Sequence, residues 1–228
     1  SVRRGEIVGF AGLVGAGRTE TMMTLFGERK ADSGSISIRG KKMAIKSPAH
    51  AVAQKVALIP EDRKQYGLNL VASVSDNIEF VVEKRNSKWG CWLNTKQKKK
   101  DTEQMIDALS IKCNSALQPV LSLSGGNQQK IVLSKWLLSD PDIIILDEPT
   151  RGIDIGAKIE IYKIIHNLAQ SGKAIILVSS ELNEIIGLSN RVIVMYEGKI
   201  TGELSGNEIE QEQIMSCAHA YNNGGGAQ

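Results

Sequence analysis

No stretch of this chain is apolar for long enough to cross a bilayer. The longest runs, IIIL at 143–146 and AIILV at 174–178, fall far short of the roughly 20 residues a membrane-spanning helix needs. No signal-peptide pattern opens the chain, so a membrane role, if there is one, is peripheral. Cysteine is scarce and unpatterned: Cys91, Cys113 and Cys217 are odd in number and far apart, without C-x-x-C or Cys/His spacing. That points to ordinary thiols in a reducing cytosol rather than to disulfides or a structural metal. His50, His166 and His219 are equally scattered. Charge of one sign is also missing, because 28 Lys and Arg stand against 25 Asp and Glu, a formal net charge of +3. The one basic run, Lys96 to Lys100 with a glutamine inside it, reads as a solvated helix face or a loop, so no nucleic-acid partner is expected. There is no internal repeat.

What the chain does have is bulk: 228 residues, 42% hydrophobic, enough for one large globular domain or a domain with a sub-domain. Its opening, SVRRGEIVGF, runs almost at once into an apolar strand, as if earlier strands preceded Ser1. GEIVGFAG (5–12) leads straight into a glycine loop, and TETMMTLFG reads as a helix closed by Gly27. VALIP, DIIIL and AIILVSS are short Val- and Ile-rich runs bounded by Pro, Asp or Ser, as expected of parallel strands buried on both faces. The expected fold is therefore α/β, with a mainly parallel sheet and its ligand at the carboxyl ends of the strands. Between about 74 and 138 the apolar residues fall at three- and four-residue steps, which predicts an inserted helical sub-domain. RVIVMYEGKITGEL reads as a hairpin turning at Glu197 and Gly198. Residues 1–205 would form the main domain and 206–228 a C-terminal extension, whose NNGGGAQ end reads as disordered.

Three motifs carry chemistry. In GLVGAGRTE, Gly12, Gly17 and Thr19 keep the P-loop spacing G-x-x-x-x-G-K-[ST], with Gly15 and Ala16 between them, but Arg18 stands in the lysine position. In IIILDEP an apolar strand delivers Asp147, aimed to ligate magnesium beside phosphates, and Glu148, placed to polarise a water in line with a γ-phosphate. In LSLSGGNQQK, Ser124, Gly125 and Gly126 precede a helix whose free N–H groups and dipole favour an anion; alone, this is no more than an anion site or a plain helix cap.

Taken together, LSGGNQQ after a P-loop and before a D-E-P strand resembles the signature of ATP-binding-cassette (ABC) ATPases. GLVGAGRTE, IPEDRK, LSGGNQQK, LDEPTRGIDIGAK and VSSEL further resemble the second, C-terminal cassette of the tandem ATP-binding subunits of bacterial importers for ribose, galactose, xylose or arabinose. The resemblance covers nearly the whole chain. It implies a P-loop NTPase fold, ATP and Mg2+ as cofactors, and Thr19 and Asp147 as metal ligands. It also implies a first cassette of the same longer chain as head-to-tail partner, a transmembrane permease, and indirectly a sugar-binding protein. The location would be the cytoplasmic face of the cell membrane. The aromatic residue that stacks on adenine would lie before Ser1.

Several positions depart from the family pattern. Arg18 keeps positive charge and a bidentate grip but not the compact ammonium of lysine. Where a glutamine follows a strand, this chain has Pro60-Glu61-Asp62-Arg63; Glu61 is the best candidate, with a shift to Asp62 open. The histidine of the switch is Ser180, which offers no imidazole N–H. The signature residues Ser124, Gly125, Gly126 and Gln128 are regular and would serve ATP held by the partner cassette. Asp154 belongs either to the loop that crosses between cassettes or to an ordinary cap of the next helix. The implied function is the engine domain of a sugar importer with a weak site of its own, docking its permease around Tyr66 to Ser75. The alternatives are a non-hydrolytic nucleotide-binding and dimerisation module, or an importer for another small polar solute. A DNA-repair type of ABC ATPase is disfavoured, since no long heptad insertion or basic arm is present.

Overall fold

The computed structural model describes residues 1–82, 87–88 and 92–219. Cys91 and the glycine-rich C-terminal tail lie outside the described residues. In chain order the elements are β1 (Ile7–Gly12), α1 (Arg18–Phe26), β2 (Ile36–Ile38), β3 (Lys41–Met43), α2 (Pro48–Ala53), β4 (Val56–Ile59), α3 (Val74–Glu79), β5 (Ser87–Lys88), β6 (Trp92–Leu93) and α4 (Thr95–Ala108). There follow α5 (Gly125–Leu137), β7 (Ile143–Asp147), α6 (Ile155–Gln170), β8 (Ala174–Val178), α7 (Leu182–Leu188), β9 (Arg191–Tyr196), β10 (Lys199–Ser205) and α8 (Gln211–His219). A π-helical turn covers Arg63–Gly67.

Six strands form one sheet in the order β10-β9-β1-β8-β7-β4. β1 pairs in parallel with both β8 and β9, and β7 with β8; β10 is antiparallel, returning along β9. The apolar runs explain this. All five residues of β8 are buried, as are all four of β4, which is the pattern of strands covered on both faces. The β9–β10 turn is made by Glu197 (φ 46°) and Gly198 (φ 77°), the two left-handed positions that a tight hairpin matching strand twist requires. α1 ends at Gly27, whose left-handed backbone (φ 80°) lets its N–H reach Thr24 O.

The chain divides into two compact units. The first comprises Ser1–Leu58, Asp142–Glu148 and the chain from Ile165 onward, and holds the sheet with α1. Its core is aliphatic, with Val8, Met22, Ile144, Leu146, Ile175, Leu177 and Val192 at 1% exposure or less. The second comprises Ile59–Pro141 and Pro149–Ile164. It is mainly helical, α3 packing on both α4 and α5 around Val74, Ile78, Ile131 and Leu133, and it also carries the short β5–β6 hairpin. Each such fully buried aliphatic side chain contributes about 1.5–3 kcal/mol over an exposed one. Lys96, Lys99 and Lys100 lie exposed on α4.

Candidate functional site

In the first unit, β1 runs into the loop at Gly12, where φ is 153° and a Cβ would stand 2.3 Å from Met195 O, so only glycine fits. The loop returns through Gly15 and Ala16 to Gly17, which precedes the first residue of α1. The β9–β10 turn buttresses it: Gly198 N–H donates to Ala16 O at 2.9 Å, and a Cβ on Gly17 would lie 3.2 Å from Gly198 Cα. No side chain caps α1, so the loop amides are the groups its N-terminus presents.

Arg18 is 9% exposed and its Nη1 donates to Ser179 O at 2.8 Å. The guanidinium at the lysine position is thus anchored at the end of β8, next to Ser180. Its charge also acts on Asp147 and Glu148. Asp147 is 3% exposed, and burial pushes its carboxyl above the usual range, against a hydrogen bond from Thr19 and the charge of Arg18. One of its oxygens, Oδ1, has no hydrogen-bond partner among the described residues. A buried carboxylate oxygen left open beside a threonine hydroxyl is a hard-oxygen donor set of the kind magnesium takes, so these residues fit that ion.

Glu148 follows with a left-handed backbone (φ 48°), its N–H bonded to Val178 O at 2.9 Å. A non-glycine residue held there is strained, and such strain is kept where a side chain must be aimed. Ser180 Oγ donates to Glu148 Oε2 at 3.0 Å, and burial raises the Glu148 carboxyl against that bond and the charge of Arg18. Beneath them Ser179 Oγ donates to the buried Glu184 at 2.8 Å and accepts from Glu181 N–H at 3.0 Å, which fixes the strand end. The structure therefore brings Arg18, Thr19, Asp147, Glu148 and Ser180 together.

The remaining predicted residues belong to the second unit. Ser124 is the N-cap of α5, its hydroxyl accepting from Asn127 N–H. Gly125 and Gly126 open the helix, and a Cβ on Gly126 would sit 2.5 Å from that of Ala157, so the first turn of α5 lies hard against α6. Gln128 is turned inward: it is 4% exposed and its amide donates to Val120 O and Leu123 O, at 3.3 and 3.2 Å, holding the chain that leads into Ser124. Asp154 accepts from Ala157 N–H at 2.9 Å and so caps α6. Of the two glutamine-position candidates, Glu61 is ion-paired with Arg151, whereas Asp62 caps the π-helical turn by accepting from Lys64 and Gln65 N–H.

Two residues of this unit escaped the sequence reading. Lys135 is 6% exposed, donates to Gly67 O, and has the rings of Phe80 and Trp136 at 5.9 and 5.6 Å; burial lowers it to about 8. With Tyr66, Gly67, Ala72, Asp76 and Phe80 it lines a groove of about 330 Å³. Arg63 donates to the carbonyls of Arg151 and Gly152. A lysine interrupting the apolar face of α5 was the only visible signal for the first, and IPEDRK for the second.

Comparison with known proteins shows the family. The family profile described as "ABC transporter" matches residues 1–151. A putative ribose/galactose/methyl galactoside import ATP-binding protein of Halalkalibacterium halodurans is 54% identical over 217 residues, 95% of this chain and 41% of the relative. A ribose import ATP-binding protein of the same organism is 51% identical, over 96% of this chain and 44% of its own length. The chain thus spans less than half the length of these relatives. A nucleotide-free ATP-binding cassette from an ABC transporter superposes with a TM-score of 0.80 at 20% identity, over 95% of this chain and 86% of its own. Among the described residues no helix is long and apolar enough to cross a membrane. With the phosphate-loop geometry, the profile match and relatives above 50% identity in agreement, the chain belongs to the ABC transporter family of ATP-binding domains.

Proposed function

We propose that this chain is a nucleotide-binding domain of an ABC-type sugar importer, and that its two functional poles serve different ATP sites. The P-loop pole, Gly12 to Thr19 with Asp147, Glu148 and Ser180, forms its own site, which binds nucleotide and turns it over slowly or not at all. The signature pole, Ser124 to Gly126 with Asp154, completes the site of a partner cassette in the same longer chain. Residues 1–205 act as the cassette and 206–228 as an extension of it. The groove of the second unit receives a transmembrane permease, which holds the domain at the cytoplasmic face of the membrane, and an external sugar-binding protein acts through that permease. The relatives, import ATP-binding proteins for ribose and galactose, support the sugar reading; an importer for another small polar solute is the alternative.

The observation that carries the asymmetry is Arg18: its guanidinium is held by Ser179 O at 2.8 Å. Thr19 and Asp147 would hold magnesium, which neutralises phosphate charge when bound. Glu148 would orient water, but its partner is the hydroxyl of Ser180 where an imidazole N–H would donate to a γ-phosphate. Loss of one such donor costs about 10²–10³ in rate.

Nucleotide binding and phosphate release by this chain, by Arg18→Lys and by Glu148→Gln, test the proposal. Binding with little turnover, unchanged in Arg18→Lys, is expected. Brisk turnover abolished by Glu148→Gln would sink the asymmetric reading. Equal silence of the assembled importer would favour the second reading, a purely nucleotide-binding and dimerisation module, which Arg18 and Ser180 also support.

A further inference from the structure

We propose that Arg63 is a positioning residue that ties the groove of the second unit to the signature turn and to the loop before Asp154, so that a change in the groove reaches both. This rests on the reading that the groove receives a partner and the signature serves a nucleotide. The stretch from Pro60 to Gly67 faces two ways. Its later part, the π-helical turn Arg63–Gly67, supplies Tyr66 and Gly67 to the groove, and Gly67 O accepts from the buried Lys135. Glu61 and the first residue of that turn, Arg63, are clasped to the loop before α6. Arg63 Nη1 donates to Arg151 O at 2.7 Å and Nη2 to Gly152 O at 3.2 Å, while Arg151 returns an ion pair to Glu61.

The signature enters the same clasp. A Cβ on Gly125 would stand 3.0 Å from Arg63 Nη2 and 3.3 Å from Gly152 O, so three segments converge where a glycine leaves just enough room. The π-helical turn is seated on the body of α5 as well, since a Cβ on Gly67 would lie 3.1 Å from Val132. In this arrangement a shift of the turn would displace the carbonyls that Arg63 holds. A plain structural need would be met by one donor. Instead a planar fork spans two successive carbonyls, and its Nε is buried with no acceptor among the described residues.

The test is a coupling measurement by hydrogen exchange on the 228-residue chain, with no nucleotide needed. Ala72→Trp fills the groove and stands in for an occupant. With Arg63 present it should change exchange at residues 150–156 and 124–128 by about threefold or more, and in Arg63→Met and Arg63→Lys backgrounds that response should vanish, lysine being unable to span both carbonyls. An equal response with and without Arg63 overturns the proposal. So does no response in either background, or exchange in Arg63→Met that rises throughout α3 and α4, which would mark a role in folding alone. Failure of the nucleotide reading would look different: coupling intact, and no ATP bound by the wild-type chain.

Discussion

The chain has two glycine-rich turns that open helices, one in each unit, and they are built in opposite ways. The turn before α1 has no side-chain cap, and the charge beside it is committed: Arg18 is buried, bonded to Ser179 O, and balanced by Asp147 and Glu148. The turn before α5 is capped by the Ser124 hydroxyl, is followed by Gly125 and Gly126, and has Gln128 folded inward as a brace. Both turns precede a helix whose first N–H groups lack intrahelical partners, the groups that phosphate recognition uses. What differs is the state of the charges around them. In the first unit, charged groups are occupied with one another, so an incoming nucleotide must compete. In the second, the cation against the turn, Arg63, is spent on the carbonyls of Arg151 and Gly152, and in the proposed function the turn meets a phosphate held by the partner cassette.

The largest effect should come from damaging the second turn. In a longer protein that joins this chain to the proposed partner cassette, Ser124→Arg puts a bulky group where phosphate would approach and should lower steady-state phosphate release about 100-fold or more. Arg18→Ala, at the first turn, should change it by no more than about threefold, the donors there being already degraded. The reverse ranking would break the comparison and make the P-loop of this chain the productive one.

Arg18 should matter more for stability than for turnover. Arg18→Met leaves Ser179 O without its donor, and the buried Asp147 and half-buried Glu148 without their cation, a loss of about 1–3 kcal/mol by urea unfolding. Arg18→Lys keeps a charge and should lose less. If Met is tolerated without cost, the guanidinium is held for a ligand and not for the fold.

Much of this was legible in the residues. IIIL could only be a buried strand, and it delivers Asp147 and Glu148 at its end as read. EG between two apolar runs fixed the hairpin, and the segments before α5 and after β1 announced themselves by serine and glycine. Other features were not legible, because their partners are remote or ambiguous in sequence. The acceptor of Arg18 lies 161 positions away, and it is a backbone carbonyl, which leaves no trace in residue identity. Gln128 sits in the first turn of a helix, where an amide side chain is equally suited to face outward or to satisfy carbonyls behind it. Asp154 carried two readings, and its bond to Ala157 N–H establishes the cap without touching the other role. Arg63 is half-buried and Lys135 buried, and both donate to backbone carbonyls, which again leave no trace in residue identity.

The smallest predicted effect separates the two units by how each handles a buried cation. Arg18 has carboxylates nearby, and a guanidinium does not titrate in the ordinary pH range. Lys135 has a carbonyl and two ring faces; the carboxylate on the same groove, Asp76, is paired with Lys98, which holds it below the usual range. Burial lowers Lys135 from 10.5 to about 8. A depressed lysine gives up its proton in the folded chain while the unfolded chain still keeps it. The burial cost is therefore fully present below pH 8 and is relieved as pH rises from 8 toward 10.5. Between pH 7 and 9 the wild-type chain should gain about 1 kcal/mol of stability relative to Lys135→Met, the other titrating groups being common to both. Parallel pH profiles for the two would mean that Lys135 is solvated through the groove. Its charge would then cost the second unit nothing, and the contrast with Arg18 would rest on hydrogen bonding alone.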